Sequence, residues 1–204
     1  MAPLNEDQLH AIRDERREQI IDAALGVFAR RGPVLTKMSM IAAAAGISHG
    51  LLYHYFKSKD ELFIALVREA MLGAGGGVEE MLGHPGTVID KLRHFLHEAM
   101  SEEARLSFLL IHQARASEGV PEEAREIIKD YSMDWFASKL KPLFFEGQRT
   151  GEIAKDDADL LIAGLLTAMS GSMILHASDE KNIPLIHPDH LLRLVLAPEH
   201  VRPL

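Results

Sequence analysis

Apolar side chains recur at helical spacing through the first 72 residues. Ile20, Ile21, Ala24, Leu25 and Phe28 fall at i, i+1, i+4, i+5 and i+8, one face of a helix that begins near Arg13. Gly32-Pro33 stops it, because proline lacks a donor and glycine accepts the left-handed conformation of a helix end. Met38 to Ala45 reads as a short alanine-rich helix that Gly46 ends. Ser48 is a good N-cap for the next helix, which runs through Leu51, Leu52, Tyr53 and Phe56. Ile41, Ala45, Ile47, Leu52 and Phe56 then close a small three-helix core. A fourth helix starts near Ser58, passes through Leu62, Phe63, Leu66, Val67 and Met71, and ends near Leu72 at Gly73–Gly77, read as a break or hinge. Further amphipathic segments predict helices near 86–100, 102–117, 121–148, 156–178 and 188–197. No alternating β pattern of useful length occurs, so the expected fold is all-α.

Two helices joined by a turn of about three residues form a helix-turn-helix, whose second helix is shaped for a major groove. Charge supports that reading. Ala23 to Lys59 holds no Asp or Glu, while Arg30, Arg31, Lys37, Lys57 and Lys59 are basic. Residues 1–68 carry 9 Lys and Arg against 8 Asp and Glu, whereas 69–204 carry 13 against 22. An acidic chain that strips its acids from one window keeps a face free for phosphates. A plain helical hairpin in a globular core would leave the missing acids, and an exposed Tyr53 and Tyr55, unexplained. His49, Gly50 and Leu51 stand near the start of the second helix, where side chains face base edges. Gly50 lets the backbone approach closely, and Leu51 offers an apolar contact such as a thymine methyl.

Composition narrows the remaining classes. There is no cysteine, which removes disulfides and cysteine-based zinc sites. The first residues show no basic segment followed by an apolar run, so no secretory signal is expected and a cytoplasmic location is. Leu160 to Ser178 is uncharged and near bilayer length, but Thr167, Ser170, Ser172 and His176 interrupt it and acids flank it. A buried helix is expected there rather than a membrane span. His94-x-x-His97 and His187-x-x-His190 have helical spacing that His112 or His176 could join, yet the sequence places no third ligand; no metal and no cofactor are expected. A nucleophile triad is a spatial arrangement that the sequence does not place, and an enzyme is not expected.

Arg16 to Gly32, Thr36, Ile41-Ala42, Ala45-Gly46-Ile47-Ser48, Gly50, Leu52-Tyr53, Tyr55-Phe56 and Ser58 to Leu62 together resemble the DNA-binding domain of the TetR family of bacterial transcriptional regulators. The match runs about 50 residues in register. Gly147 to Ile153 is similar to a connection found before the family's dimerisation helices. The resemblance implies an N-terminal three-helix helix-turn-helix domain (1–60, with an arm at 1–12). A linking helix joins it to a larger helical ligand-binding and dimerisation domain (61–204). It implies phosphate contacts from Thr36, Tyr53, His54 and Lys59. Ser48 and Lys37 complete the candidate DNA-binding set. Three departures matter: Leu51 replaces a small, often hydroxylated residue, and Lys37 and Met40 replace a capping hydroxyl and an acid.

The resemblance also implies a homodimer that acts as a repressor on a palindromic operator and lets go when a small effector binds. Phe95, Phe108, His112, Trp135, Phe136, Met169 and Met173 combine bulky, adaptable side chains with a few polar heads, suited to an apolar or amphipathic ligand. Taken singly, each also reads as plain core. Ala163, Gly164, Ser170 and Gly171 give the 156–178 helix small side chains at roughly seven-residue spacing. They are the expected dimer contact, with the 188–197 helix completing a four-helix interface. The competing reading is a helical ligand- or partner-binding protein with only weak, non-specific DNA affinity.

Overall fold

The computed structural model describes residues 6–177 and 184–201. The arm expected at 1–12 lies partly outside these residues; from Glu6 onward it belongs to the first helix.

Helix α1 (Glu6–Leu35) is broken at Gly32, whose φ of 72° and ψ of 168° leave helical space just before Pro33. The expected stop therefore falls at its expected place, and Pro33 to Leu35 form a turn beyond it. Helices α2 (Met38–Ala44) and α3 (His49–Tyr55) follow, joined through Gly46 at φ 64°. α1, α2, α3 and the first half of α4 (Lys59–Gly83) pack Ile20, Phe28, Ile41, Leu52, Phe56, Leu62 and Phe63 into one apolar core. α6 (Glu102–Ala116) and α7 (Glu122–Asp130) complete that core with Leu110, Ile111, Ala114, Val120, Ala124 and Ile128.

α4 corrects one expectation. It does not end at the glycine run but continues unbroken to Gly83. Leu62 to Met71 face the first core, and Val78 and Met81 face a second one. Gly75, between them, is buried against the ring of Tyr131. Tertiary contact on both sides holds a helix that local propensity alone would break.

The second core unites Val78 and Met81 with α5 (Val88–Ala99), α8 (Met133–Thr150), α9 (Ala158–Ala177) and α10 (Pro188–Leu192). The single helix expected over 121–148 is two helices. Tyr131 leaves helical space at φ −115° and ψ 55°, and Ser132 caps α8 by accepting the Trp135 N–H. The 188–197 helix is shorter than expected. After five helical residues the chain turns, and Leu196 forms an antiparallel bridge with Ile153. Leu191 and Leu192 are buried within their own chain, whereas Leu194 is exposed.

Candidate nucleic-acid interface

α3 is positioned from behind by Leu52 and Phe56, both buried in the first core. At its start the Ser48 hydroxyl accepts the Leu51 N–H at 3.2 Å, satisfying one of the orphan donors of a helix N-terminus. Ser48 thus sets where the helix begins. At its end the Lys57 ammonium donates to the carbonyls of Tyr53 and His54, each at 3.3 Å, and the Lys57 N–H donates to Glu61. A cation on the last carbonyls complements the helix dipole. Two more residues brace the unit from α1: Gln19 donates to the Ala45 carbonyl at 3.1 Å, and the Arg17 guanidinium lies 5.4 Å from the centre of the Phe56 ring. Lys57 was read only as a basic residue of the acid-free window; its four-residue spacing to Tyr53 is the signal that marks the cap. Gln19 and Arg17 carried no signal in the sequence.

His49, Gly50, Leu51, Tyr53 and His54 are exposed on the outward side of α3. The His49 ring meets the Tyr53 ring edge-on at 4.9 Å, which orders both side chains before any partner arrives. Tyr55 differs from expectation: it is half-buried against the first core, with its ring edge-on to His54. Lys37 is exposed and occupies the cap position of α2 without a side-chain hydrogen bond, as the loss of a capping hydroxyl predicts. Thr36, expected to contact a phosphate, is buried, and its hydroxyl donates to the Gly32 carbonyl at 2.8 Å, which supports the turn. Lys59 is half-buried and donates to the Pro33 carbonyl at 2.7 Å, which fixes its ammonium at the start of α4.

The chain's outward face from Arg30 to Lys59 is therefore a capped, core-backed helix with basic residues on either side and no carboxylate. The model of the bacterial regulatory proteins of the tetR family matches residues 20–66, the span just described. The fatty acid metabolism regulator protein of Bacillus subtilis (strain 168) is 31% identical over 151 residues, covering 71% of this chain and 74% of that one. The chain belongs to the TetR family. It is a helix-turn-helix, DNA-binding regulator of transcription. The regulator BetI of Rhizobium meliloti (strain 1021) is 32% identical over 117 residues, 57% of this chain and 51% of that one. The fold is shared with the ketosteroid transcriptional regulator KstR2 of Mycobacterium tuberculosis, at a TM-score of 0.68 and 20% identity over 89% of this chain and 95% of that one. It is shared equally with the MbdR regulator of Azoarcus sp. CIB, at 0.71 and 22% over 88% and 96%.

The seven residues expected to line a TetR-type effector pocket lie in or beside the second core. Phe95, Met169 and Met173 are buried in the second core, with Phe108, Trp135 and Phe136 half-buried against it. Trp135 tilts against Tyr131 at 5.1 Å and meets Phe136 edge-on at 4.9 Å. His112 is exposed, its ring parallel to Phe108. A half-open cavity of about 640 Å3 lies elsewhere, between the start of α5, Glu152 and α10, and none of the seven lines it. Its carboxylates are already engaged. Asp90 accepts the N–H and hydroxyl of Thr87 and a bond from Arg93, and these hold its carboxyl below the usual aspartate value. Burial pushes the Glu152 carboxyl up, but the Ile89 N–H and the hydroxyls of Thr150 and Thr87 outweigh it and hold the group low.

On α9 the outward side carries Leu160, Ala163, Gly164 and Thr167, all exposed, then half-buried Ser170 and Gly171, and exposed Ile174 and Leu175. No atom lies within 4 Å of a Cβ placed on Gly164 or Gly171. α9 is long and apolar enough to cross a membrane by length and composition, yet its inner side is packed in the second core. Neighbouring α8 exposes Phe145, and Lys141 beside it bonds Asp159 of α9 at 2.7 Å. Among the described residues no group of three His, Asp or Glu is arranged to hold a metal ion. His94 instead bonds Glu80 and stacks on His84.

Proposed function

We propose that this TetR-family regulator is a cytoplasmic homodimeric repressor that binds a palindromic operator and leaves it when a small apolar or amphipathic effector enters the domain beyond residue 60. The observation that carries the reading is the outward face of α3. His49, Gly50 and Leu51 are free to meet base edges there, and Tyr53, His54 and Lys59 stand ready for phosphates, in a stretch without an acid. A seven-residue recognition helix reads few base pairs, so genomic selectivity calls for two copies related by a two-fold axis.

The exposed small-residue side of α9 suits that axis. Ala163, Gly164, Ser170 and Gly171 allow close approach, and Leu160 and Ile174 supply apolar area. α8, with Phe145 exposed, replaces the 188–197 segment as the second helix of a four-helix contact. The effector class follows from the second core, where Met169, Met173 and Phe95 can rearrange around an apolar guest. It also agrees with relatives named for fatty acid metabolism and for ketosteroids. The relatives named as repressors include KstR2 of Mycolicibacterium smegmatis.

Selection of bound fragments from a genomic library tests the reading. Inverted half-sites about one helical turn apart are expected. A preference of less than about tenfold for any sequence would instead favour a helical binding protein with weak, non-specific DNA affinity.

A further inference from the structure

The turn between α1 and α2 is held from two directions. From the reading head, the Lys59 ammonium donates to the Pro33 carbonyl at 2.7 Å and the buried Thr36 hydroxyl donates to the Gly32 carbonyl at 2.8 Å. From the other side, α6 and the turn after it pack on Gly32 and Val34. A Cβ on Gly32 would lie 3.2 Å from the Gln113 side-chain oxygen, and one on Gly119 would lie 3.3 Å from a methyl of Val34. Pro33 has a fixed φ and Gly32 is pinned in the left-handed region, so the turn is stiff and passes a displacement on rather than absorbing it.

We propose that Gln113 is a positioning residue for DNA binding: it holds the Gly32–Leu35 turn, which holds Lys59 at the start of α4 where a backbone phosphate would lie. The proposal rests on the reading of this face as the DNA-binding one. An ammonium has three N–H donors, and the Pro33 carbonyl takes one, leaving two for phosphate oxygens while fixing where they point. An untethered lysine would have to be ordered on binding; this one is ordered beforehand. α6 also touches both cores. Leu110, Ile111 and Ala114 belong to the first, and Phe108, five residues before Gln113, packs against the second. A rearrangement in the second core thus reaches Lys59 along α6, a path separate from any tilt of α4.

The test is a double-mutant cycle on operator affinity, measured by fluorescence anisotropy with the full chain. Gln113→Ala is expected to weaken binding roughly threefold to tenfold. In a Lys59→Met background the same substitution should change nothing further, whereas with Tyr53→Ala its effect should add. Gly119→Ala, which presses on Val34 from the second contact, should behave in the same way. Thermal unfolding followed by circular dichroism serves as the check that each variant folds. Equal effects of Gln113→Ala with and without Lys59 overturn the positioning role, because loosened packing alone would not depend on that side chain. Unchanged affinity in both Gln113→Ala and Gly119→Ala overturns it as well, with the DNA-binding reading intact. A wild-type protein that binds no DNA overturns both.

Discussion

The ring of Tyr131 lies against the backbone of Gly75, so close that a Cβ there would stand 3.0 Å from the ring's Cε1. This contact accounts for one glycine of the run at 73–77 and for no other. A Cβ on Gly73, Gly76 or Gly77 meets nothing within 4 Å.

The glycines of α4 should therefore respond differently to the same substitution. Gly73→Ala and Gly76→Ala, in helical backbone with open space, are expected to stabilise the fold by about 0.5–1 kcal/mol each. Gly75→Ala should give no gain, or a loss, because Tyr131 must move. Urea unfolding of the three single variants decides it. A stabilised Gly75→Ala would mean that the Tyr131 contact is loose.

On DNA, Tyr53→Ala should weaken binding to every sequence and make the salt dependence shallower by about one counterion per half-site. Substitutions at His49 or Leu51 should instead change which base pairs are preferred. Titrations at several salt concentrations, with selected and scrambled duplexes, separate the two behaviours. A sequence-dependent effect of Tyr53→Ala would place that ring on a base edge.

Gly164→Arg and Gly171→Arg should leave the helices of each protomer intact, since both positions open onto free space. They are expected to produce monomers with poor operator affinity, read by sedimentation velocity and anisotropy. A dimer of unchanged stability would move the interface off α9.

Acid should loosen the start of α5. The Asp90 and Glu152 carboxyls are both held below their ordinary values of 3.8 and 4.5. Groups depressed in this way contribute their stability above those values and lose it as pH falls through the lower folded ones. The urea midpoint should then drop between about pH 5 and pH 3, and Asp90→Asn combined with Glu152→Gln should flatten that drop. A parallel decline in the double variant would assign the acid sensitivity to other groups.

An effector acting in the second core should perturb Trp135, which packs on Tyr131 and through it on Gly75 of α4. Fluorescence change and operator release are expected over one concentration range of an apolar compound. A shift in emission with operator affinity unchanged would separate the pocket from the switch.

What the sequence made legible follows the reach of its signals. Ser48, Gly46 and the stripe from Ile20 to Phe28 act within a turn or two of themselves, and α1 to α3 stand where those residues put them. The failures are cases in which distant residues decide. Gly73–Gly77 reads as a break until cores on both sides of α4 are known. Thr36 gives no local sign that the Gly32 carbonyl takes its hydroxyl. The Ser132 cap within 121–148 was a local signal that helical periodicity on either side obscured. Phe95, Met169 and Met173 have the same composition whether they line a pocket or fill a core, so their burial was not legible from the sequence.

The first core draws about a quarter of its buried residues from far along the chain, from Leu110 on α6 to Ile128 on α7, and it uses α4 as far as Met71. The reading head is consequently not a cassette. Cut at residue 60 and grafted onto another regulator, it would leave behind the surfaces that close it, and Phe63, Leu66 and Val67 with them. A chimera that keeps this head's sequence preference has to borrow at the joint instead, carrying α4 to the glycines and repainting the opposing faces of α6 and α7. On the proposed reading, operator specificity is written in α3, but its portability is written some sixty residues later.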